Sequence, residues 1–285
     1  MALPASSALI CSSAMASIFR DRLLAGKVAF ITGGGSGIGL RIAERFAEHG
    51  AQVMVAGRRA EKLEQAKADI GQRGGVAAIS PLDVRDYPAL EAALDRTHRE
   101  FGAIDIVVAA AAGNFPAPAL GMSANGFKAV IDIDLLGTFN TFRAAYGHLR
   151  LPGTSLLAIS AAHATVPMAS QAHVCAAKAG VELLLKTLAI EWGPAGVRCN
   201  TIVPGPTADT EGMRRLAPTP EIEDNIKGTL PLRRFGTKDE LADLALFLCS
   251  DAAAYITGGS FPCDGGSSLT RLGDAMYTAW HTARP

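Results

Sequence analysis

From Lys27 onward, short apolar runs rich in β-branched residues alternate with longer stretches whose apolar residues recur every three or four positions. The runs at 28–31, 52–56, 76–80, 104–108, 155–160 and 197–203 read as strands. The stretches at 38–48, 60–71, 90–101 and 171–192 read as amphipathic helices between them. Strand, helix, strand in steady succession predicts an α/β fold, a Rossmann-type doubly wound parallel sheet of about seven strands with helices on both faces. In such a sheet, ligands collect beyond the carboxyl ends of the strands.

Two segments break the rhythm. Residues 204–232 contain five prolines and mixed charge after a strand end, which predicts a mobile loop covering a substrate. Residues 267–285 have no clear period and are expected to pack on a neighbouring subunit. At 285 residues and 49% hydrophobic, the chain can bury one substantial core, and no linker marks a second domain. One cofactor-binding domain is expected over 21–285. Residues 1–20 are expected to be a disordered extension, with Met15 an alternative start.

Charge then narrows the partners. Lys+Arg and Asp+Glu balance at 27 each, so no basic field exists to hold nucleic acid or a membrane surface, and the partners expected are small molecules. The five cysteines are scattered without a Cys-x-x-Cys pair, which argues against disulfides and against a metal site and for a reducing, cytoplasmic setting.

The chemistry begins directly after the first apolar run. Gly33, Gly34, Gly35, Ser36, Gly37, Ile38 and Gly39 lead into a helix. Glycines there let the backbone turn and approach a pyrophosphate, and the helix N-terminus supplies N–H groups for its charge. An NAD-selective site places an acid near the end of the second strand, but Arg58 and Arg59 stand here. Two guanidiniums suit a 2′-phosphate, so NADP(H) is the cofactor expected.

The Gly33-x-x-x-Gly37-x-Gly39 spacing resembles that of the short-chain dehydrogenase/reductase family, and the resemblance runs from about Lys27 to Gly266. It implies that Asp83, with Val84, contacts the adenine, that Gly113 lies beside the cofactor, and that Pro204, Gly205 and Thr207 flank the nicotinamide. The family's usual carbonyl chemistry uses a tyrosine, a lysine four residues later and a serine thirteen residues earlier. Lys178 matches the lysine, which also holds the cofactor ribose, but the tyrosine position is Val174 and the serine position Ala161. Neither can donate a proton, so simple ketone reduction loses its acid.

One branch of the family is similar in this loss: the 2,4-dienoyl-CoA reductases, especially the peroxisomal type and its bacterial relatives. The resemblance rests on 111–115, 132–134 with 137–140, 189–194, and 204–206 followed by 210–216, which include Asn114, Phe115 and Asp134. It implies that Asp134 and Lys178 hold a water that supplies a proton, while NADPH delivers hydride to a conjugated diene. For an acyl-CoA substrate, Arg58, Arg85 and Arg214 or its neighbour Arg215 are the cations expected at its phosphates. Asn114, Phe115 and His173 are expected to touch its acyl end. His163 falls near the position of a tyrosine in the mitochondrial type of these enzymes. A homotetramer is expected, through the long apolar helix around 174–188. Two alternatives stand beside this reading: an oxidoreductase for another unsaturated thioester or carbonyl, and an NADP(H)-binding protein without catalysis.

Overall fold

The computed structural model describes residues 19–270, so the expectations for residues 1–18 and for most of the carboxyl-terminal tail lie outside it. Seven parallel strands form one sheet, β1 (Val28–Thr32), β2 (Gln52–Gly57), β3 (Val76–Pro81), β4 (Ile106–Ala109), β5 (Ser155–Ile159), β6 (Arg198–Pro204) and β7 (Ser260–Cys263). Their spatial order is β3-β2-β1-β4-β5-β6-β7. The order reverses between β1 and β4, and that switch point opens a crevice at their carboxyl ends. The third strand stops at Pro81, and Asp83 lies two residues beyond it.

Both faces of the sheet are covered, which is why the central strands β1 and β4 are buried at every position and do not alternate. On one face α1 (Gly37–Glu48), α2 (Ala60–Gln72) and α9 (Lys238–Cys249) bring Ile42, Phe46, Leu63 and Leu246 against Ile31, Val53 and Val108. On the other, α3 (Tyr87–Phe101), α5 (Gly137–Ala145) and α6 (Ala172–Trp192) bring Leu90, Phe142, Val181 and Leu185 against Phe30, Met54, Val107 and Leu156. Each such side chain contributes roughly 1.5–3 kcal/mol of burial free energy. Before α5, the short helix α4 (Ala124–Val130) runs straight into a wider π turn at Ile131–Leu136.

The segment 204–232, expected to be a mobile loop covering a substrate, is largely helical. It folds into α7 (Glu211–Leu216) and α8 (Pro220–Thr229), capped by the hydroxyls of Thr210 and Thr219. Met213, Ile222, Ile226, Leu230 and Phe235 form a small core of their own. Pro220 opens α8, so a reading of the prolines by number alone takes a helix start for loop.

A buried charge network clamps α1 to α9. Arg45 is almost fully buried, 2.8 Å from Asp239 and 3.0 Å from Asp243, and Arg41 reaches the same Asp239 at 2.7 Å. Removing one side of a buried pair strands the other charge away from water. Arg45→Met is therefore expected to lower the unfolding free energy by about 3 kcal/mol or more, measured by urea titration.

Candidate active site

The glycine-rich turn follows from the meeting of β1 with β4. Gly33 has φ +67°, and a Cβ there would stand 2.5 Å from the Ala110 carbonyl, so only glycine fits. Helix α1 starts at Gly37 with no side-chain cap and no acid in its first turn, because the Ser36 hydroxyl accepts instead from Arg59 Nη2 at 3.1 Å. The first N–H groups of α1 are therefore free to meet an anion. They open into a cleft of about 600 Å³ that Gly33, Gly35, Ser36, Gly37, Ile38 and Gly39 line on one side. Arg58, Arg59 and Lys62 line its edge, and Asp83, Val84, Gly113 and Asn114 line it further along. These residues fit a dinucleotide: a Cβ-free turn, an uncapped helix end and cations within one cleft.

Several expected residues sit differently. Arg85 does not line the cleft; its guanidinium is folded back on Asp83, with Nε and Nη2 at 3.0 and 2.7 Å from the two carboxylate oxygens. That fork holds Asp83 below the usual carboxylate range and occupies the cation expected at a CoA phosphate. Arg215 of α7 lines the cleft, where it pairs with Glu211, while Arg214 does not. Adjacent residues on a helix point about 100° apart, so only one of the two can face inward. Pro204, Gly205 and Thr207 lie outside the cleft lining; Thr207 is buried and donates its hydroxyl to the Gly205 carbonyl at 2.9 Å.

Behind the cleft floor, formed in part by Ile133 and Ile159, lies an ion pair. Asp134 and Lys178 are only 1% and 6% exposed, and Lys178 Nζ is 3.1 Å from Asp134 Oδ2. The Gly113 N–H donates to Asp134 Oδ1 at 2.7 Å, and Lys178 donates to the Ile159 carbonyl at 3.0 Å. Asp134 stands in the π turn between α4 and α5, an irregularity often found at functional sites. The hydroxyl positions of the family's usual set hold no donor: Val174 packs with Val130 and Ala177, and Ala161 opens a turn.

Two histidines flank the pair. His173 is fully buried with its ring edge against Phe115, centroids 4.5 Å apart, and neither ring nitrogen has a hydrogen bond, although backbone groups of Phe115 and Gln171 lie near. Phe115 is 37% exposed and lies outside the cleft lining, as does His173. His163, in a turn after β5, has a buried Nδ1 without a partner. Burial first, then the Lys178 charge and the His173 ring, press its pKa down to about 4. Gln171 and Lys62 also line the cleft without a sequence motif to mark them. A further buried acid, Glu182, stands one turn beyond Lys178 on α6. In the sequence it is one of four charges along α6, with Lys178, Lys186 and Glu191, and nothing there singles it out.

Residues 33–268 match the family described as enoyl-(acyl carrier protein) reductase. A peroxisomal 2,4-dienoyl-CoA reductase [(3E)-enoyl-CoA-producing] of Danio rerio is 42% identical over 93% of this chain and 89% of its own. A probable 2,4-dienoyl-CoA reductase [(2E)-enoyl-CoA-producing] of Bacillus subtilis is 41% identical over 85% of this chain and 97% of its own. Among solved structures, a 7α-hydroxysteroid dehydrogenase complexed with NADH and 7-oxo glycochenodeoxycholic acid superposes with a TM-score of 0.81 and 30% identity, covering 87% of this chain and 98% of its own. The compartment in the Danio rerio relative's name is the peroxisome, where the cysteine pattern pointed to the cytoplasm for this chain. No helix among the described residues is long and apolar enough to cross a membrane.

The low pKa of His163 has a measurable consequence. Above pH 6.5 the imidazole is neutral folded or unfolded and adds no pH dependence. As the pH falls from 6.5 towards 4, the unfolded chain takes up a proton that the folded one refuses, so stability declines through that window. His163→Gln is expected to lose less stability than the parent between pH 7 and pH 5, measured by thermal or urea unfolding.

Proposed function

The chain belongs to the short-chain dehydrogenase/reductase family, whose members use a nicotinamide cofactor, and from that premise we propose that it reduces 2,4-dienoyl-CoA thioesters with NADPH to 3-enoyl thioesters. One observation carries the reading: a buried Asp134–Lys178 ion pair stands where the hydroxyl donors of carbonyl reduction are replaced by Val174 and Ala161. Alcohol chemistry needs an acid at the substrate oxygen. Reduction of a conjugated diene needs charge stabilised at the thioester oxygen and a proton delivered to carbon.

In this reading the uncapped turn from Gly33 to Gly39 holds the pyrophosphate, Arg58 and Arg59 take the 2′-phosphate, and Asp83 with Val84 receives the adenine. Gly113 lets the cofactor pass close. Pro204, Gly205 and Thr207 border the nicotinamide, and because the Thr207 hydroxyl already donates to Gly205, it accepts from the carboxamide. Lys178 holds the ribose. Arg58 and Arg215 face the thioester's phosphates, with Asn114 and Phe115 towards the acyl end and the buried His173 supporting Phe115 from behind.

NADPH held there would supply a hydride to the terminal diene carbon. The displaced electron pair moves through the diene to the thioester oxygen, giving a dienolate whose negative charge the Lys178 ammonium stabilises. A water held by Asp134 and Lys178 gives a proton to the carbon next to the thioester, and a solvent proton neutralises the hydroxide left behind. One hydride and one proton are gained, and one double bond remains between the third and fourth carbons. The expected homotetramer would cover the apolar side chains that α5 and α6 leave exposed, Phe139, Leu183 and Ile190.

The test is direct. Purified protein with a 2,4-dienoyl-CoA is expected to oxidise NADPH, with kcat/KM at least about tenfold higher than with NADH, because charged hydrogen bonds to a phosphate are worth about 1.5–3 kcal/mol each. Replacing Arg58 and Arg59 with alanine is expected to erase that preference. Intact NADPH binding with no oxidation on any dienoyl-CoA would sink the reading, and a 2-enoyl product would overturn the assigned protonation site.

A further inference from the structure

Glu182 lies 7% exposed on α6, four residues and so one helical turn beyond Lys178. It takes no part in the chemistry described above. Its two oxygens are taken by hydroxyls and not by a cation: Ser160 Oγ donates to Oε1 at 2.8 Å and Ser260 Oγ to Oε2 at 2.9 Å. Ser260 in turn accepts from Thr201 Oγ1 at 3.0 Å. A charge withdrawn from water for two neutral hydrogen bonds is an expensive way to join a helix to a sheet. Its position shows a second purpose.

Ser160 follows Ile159, and the two share a peptide plane. The N–H of that plane donates to the Ile202 carbonyl at 2.8 Å, and its carbonyl accepts from Lys178 Nζ at 3.0 Å. Lys178 and Glu182 thus grip consecutive residues at the end of β5, one as donor and one as acceptor. The other oxygen of Glu182 reaches β7 through Ser260. That strand leads to Cys263, whose carbonyl accepts the Gly205 N–H at 3.1 Å, and a Cβ on Gly205 would stand 2.5 Å from Asp264 Cα. One buried carboxylate therefore ties the lysine's carbonyl anchor to the strand that supports the 204–207 segment.

We propose that Glu182 is a positioning residue: it fixes the Ile159–Ser160 peptide, and through it the Lys178 ammonium, in register with the nicotinamide side of the cleft. The inference rests on reading Lys178 as the lysine that holds the cofactor ribose. Glu182 touches neither cofactor nor substrate. It acts through hydrogen-bond geometry, so an amide of the same shape serves, since the serine hydroxyls can reverse and accept.

The experiment is a fluorescence titration of the full chain with NADPH, joined to dienoyl-CoA kinetics. For Glu182→Ala, the NADPH Kd is expected to rise about tenfold and kcat to fall about tenfold, with the thioester KM within about twofold, because a small displacement of a positioned group is costly. Glu182→Gln is expected to restore both to within about twofold of the parent. A folded alanine variant with the parent's Kd, or a glutamine variant as impaired as the alanine one, overturns the proposal. Should Glu182→Ala fail to fold, Ser160→Ala carries the test. It cuts only the link to the lysine's anchor and is expected to raise the NADPH Kd about fivefold; an unchanged Kd overturns the proposal. The binding arm needs no thioester, so loss of the dienoyl-CoA reading alone would show as a parent protein that binds NADPH, responds to these substitutions and does not turn over.

Discussion

Everything in the site is arranged around one buried ion pair, Asp134 with Lys178. Removing two charges from water costs several kcal/mol each, and their attraction returns that cost only when the geometry is good and the remaining donors and acceptors are satisfied. The surroundings meet that condition in part: the Gly113 N–H holds one carboxylate oxygen and the Ile159 carbonyl holds the ammonium, while Asp134 Oδ2 has only its ion-pair contact with Lys178. A well-packed apolar pair would often serve stability as well. The charges are best understood by what they do to a neighbouring anion.

That pair explains features distributed over the fold. The π turn shifts the phase of the helical segment running from α4 into α5 and places Asp134 on the side of Gly113. Gly113 lies in the stretch after β4, at the switch point of the sheet, and a Cβ there would come within 3.2 Å of Ile133. Val174 and Ala161, inert as acids, keep the adjoining space apolar and small. Burial and the lysine's charge hold His163 neutral, so the histidines add no competing cation beside Lys178.

Much of this was legible in the sequence, because strand and helix periods, the glycine turn and the Arg58–Arg59 pair are local signals. The parallel sheet and the cleft along residues 33–39 follow from them, while the meeting of Asp134 with Lys178 is what the family resemblance implied. What sequence reasoning misplaced depends on orientation. Arg85 stands where a phosphate ligand was expected but folds onto Asp83, and the choice between Arg214 and Arg215 turns on helical phase. The 204–232 segment has a core of its own that spacing alone does not reveal. Glu182 escaped because its partners, Ser160 and Ser260, come from strands 22 and 78 residues away in the chain.

The claim that the ion pair performs the chemistry is tested most directly by a single turnover. Parent and Asp134→Ala proteins, each loaded with NADPH, are mixed rapidly with a 2,4-dienoyl-CoA, and formation of the protonated enoyl thioester is followed by rapid quench. Loss of a positioned proton-transfer group typically costs 10²–10⁴-fold, so the variant's rate is expected to fall by about a hundredfold or more. A folded Asp134→Ala protein that forms the protonated enoyl thioester within about twofold of the parent's rate would contradict the account, because it would leave Asp134 no part in proton delivery.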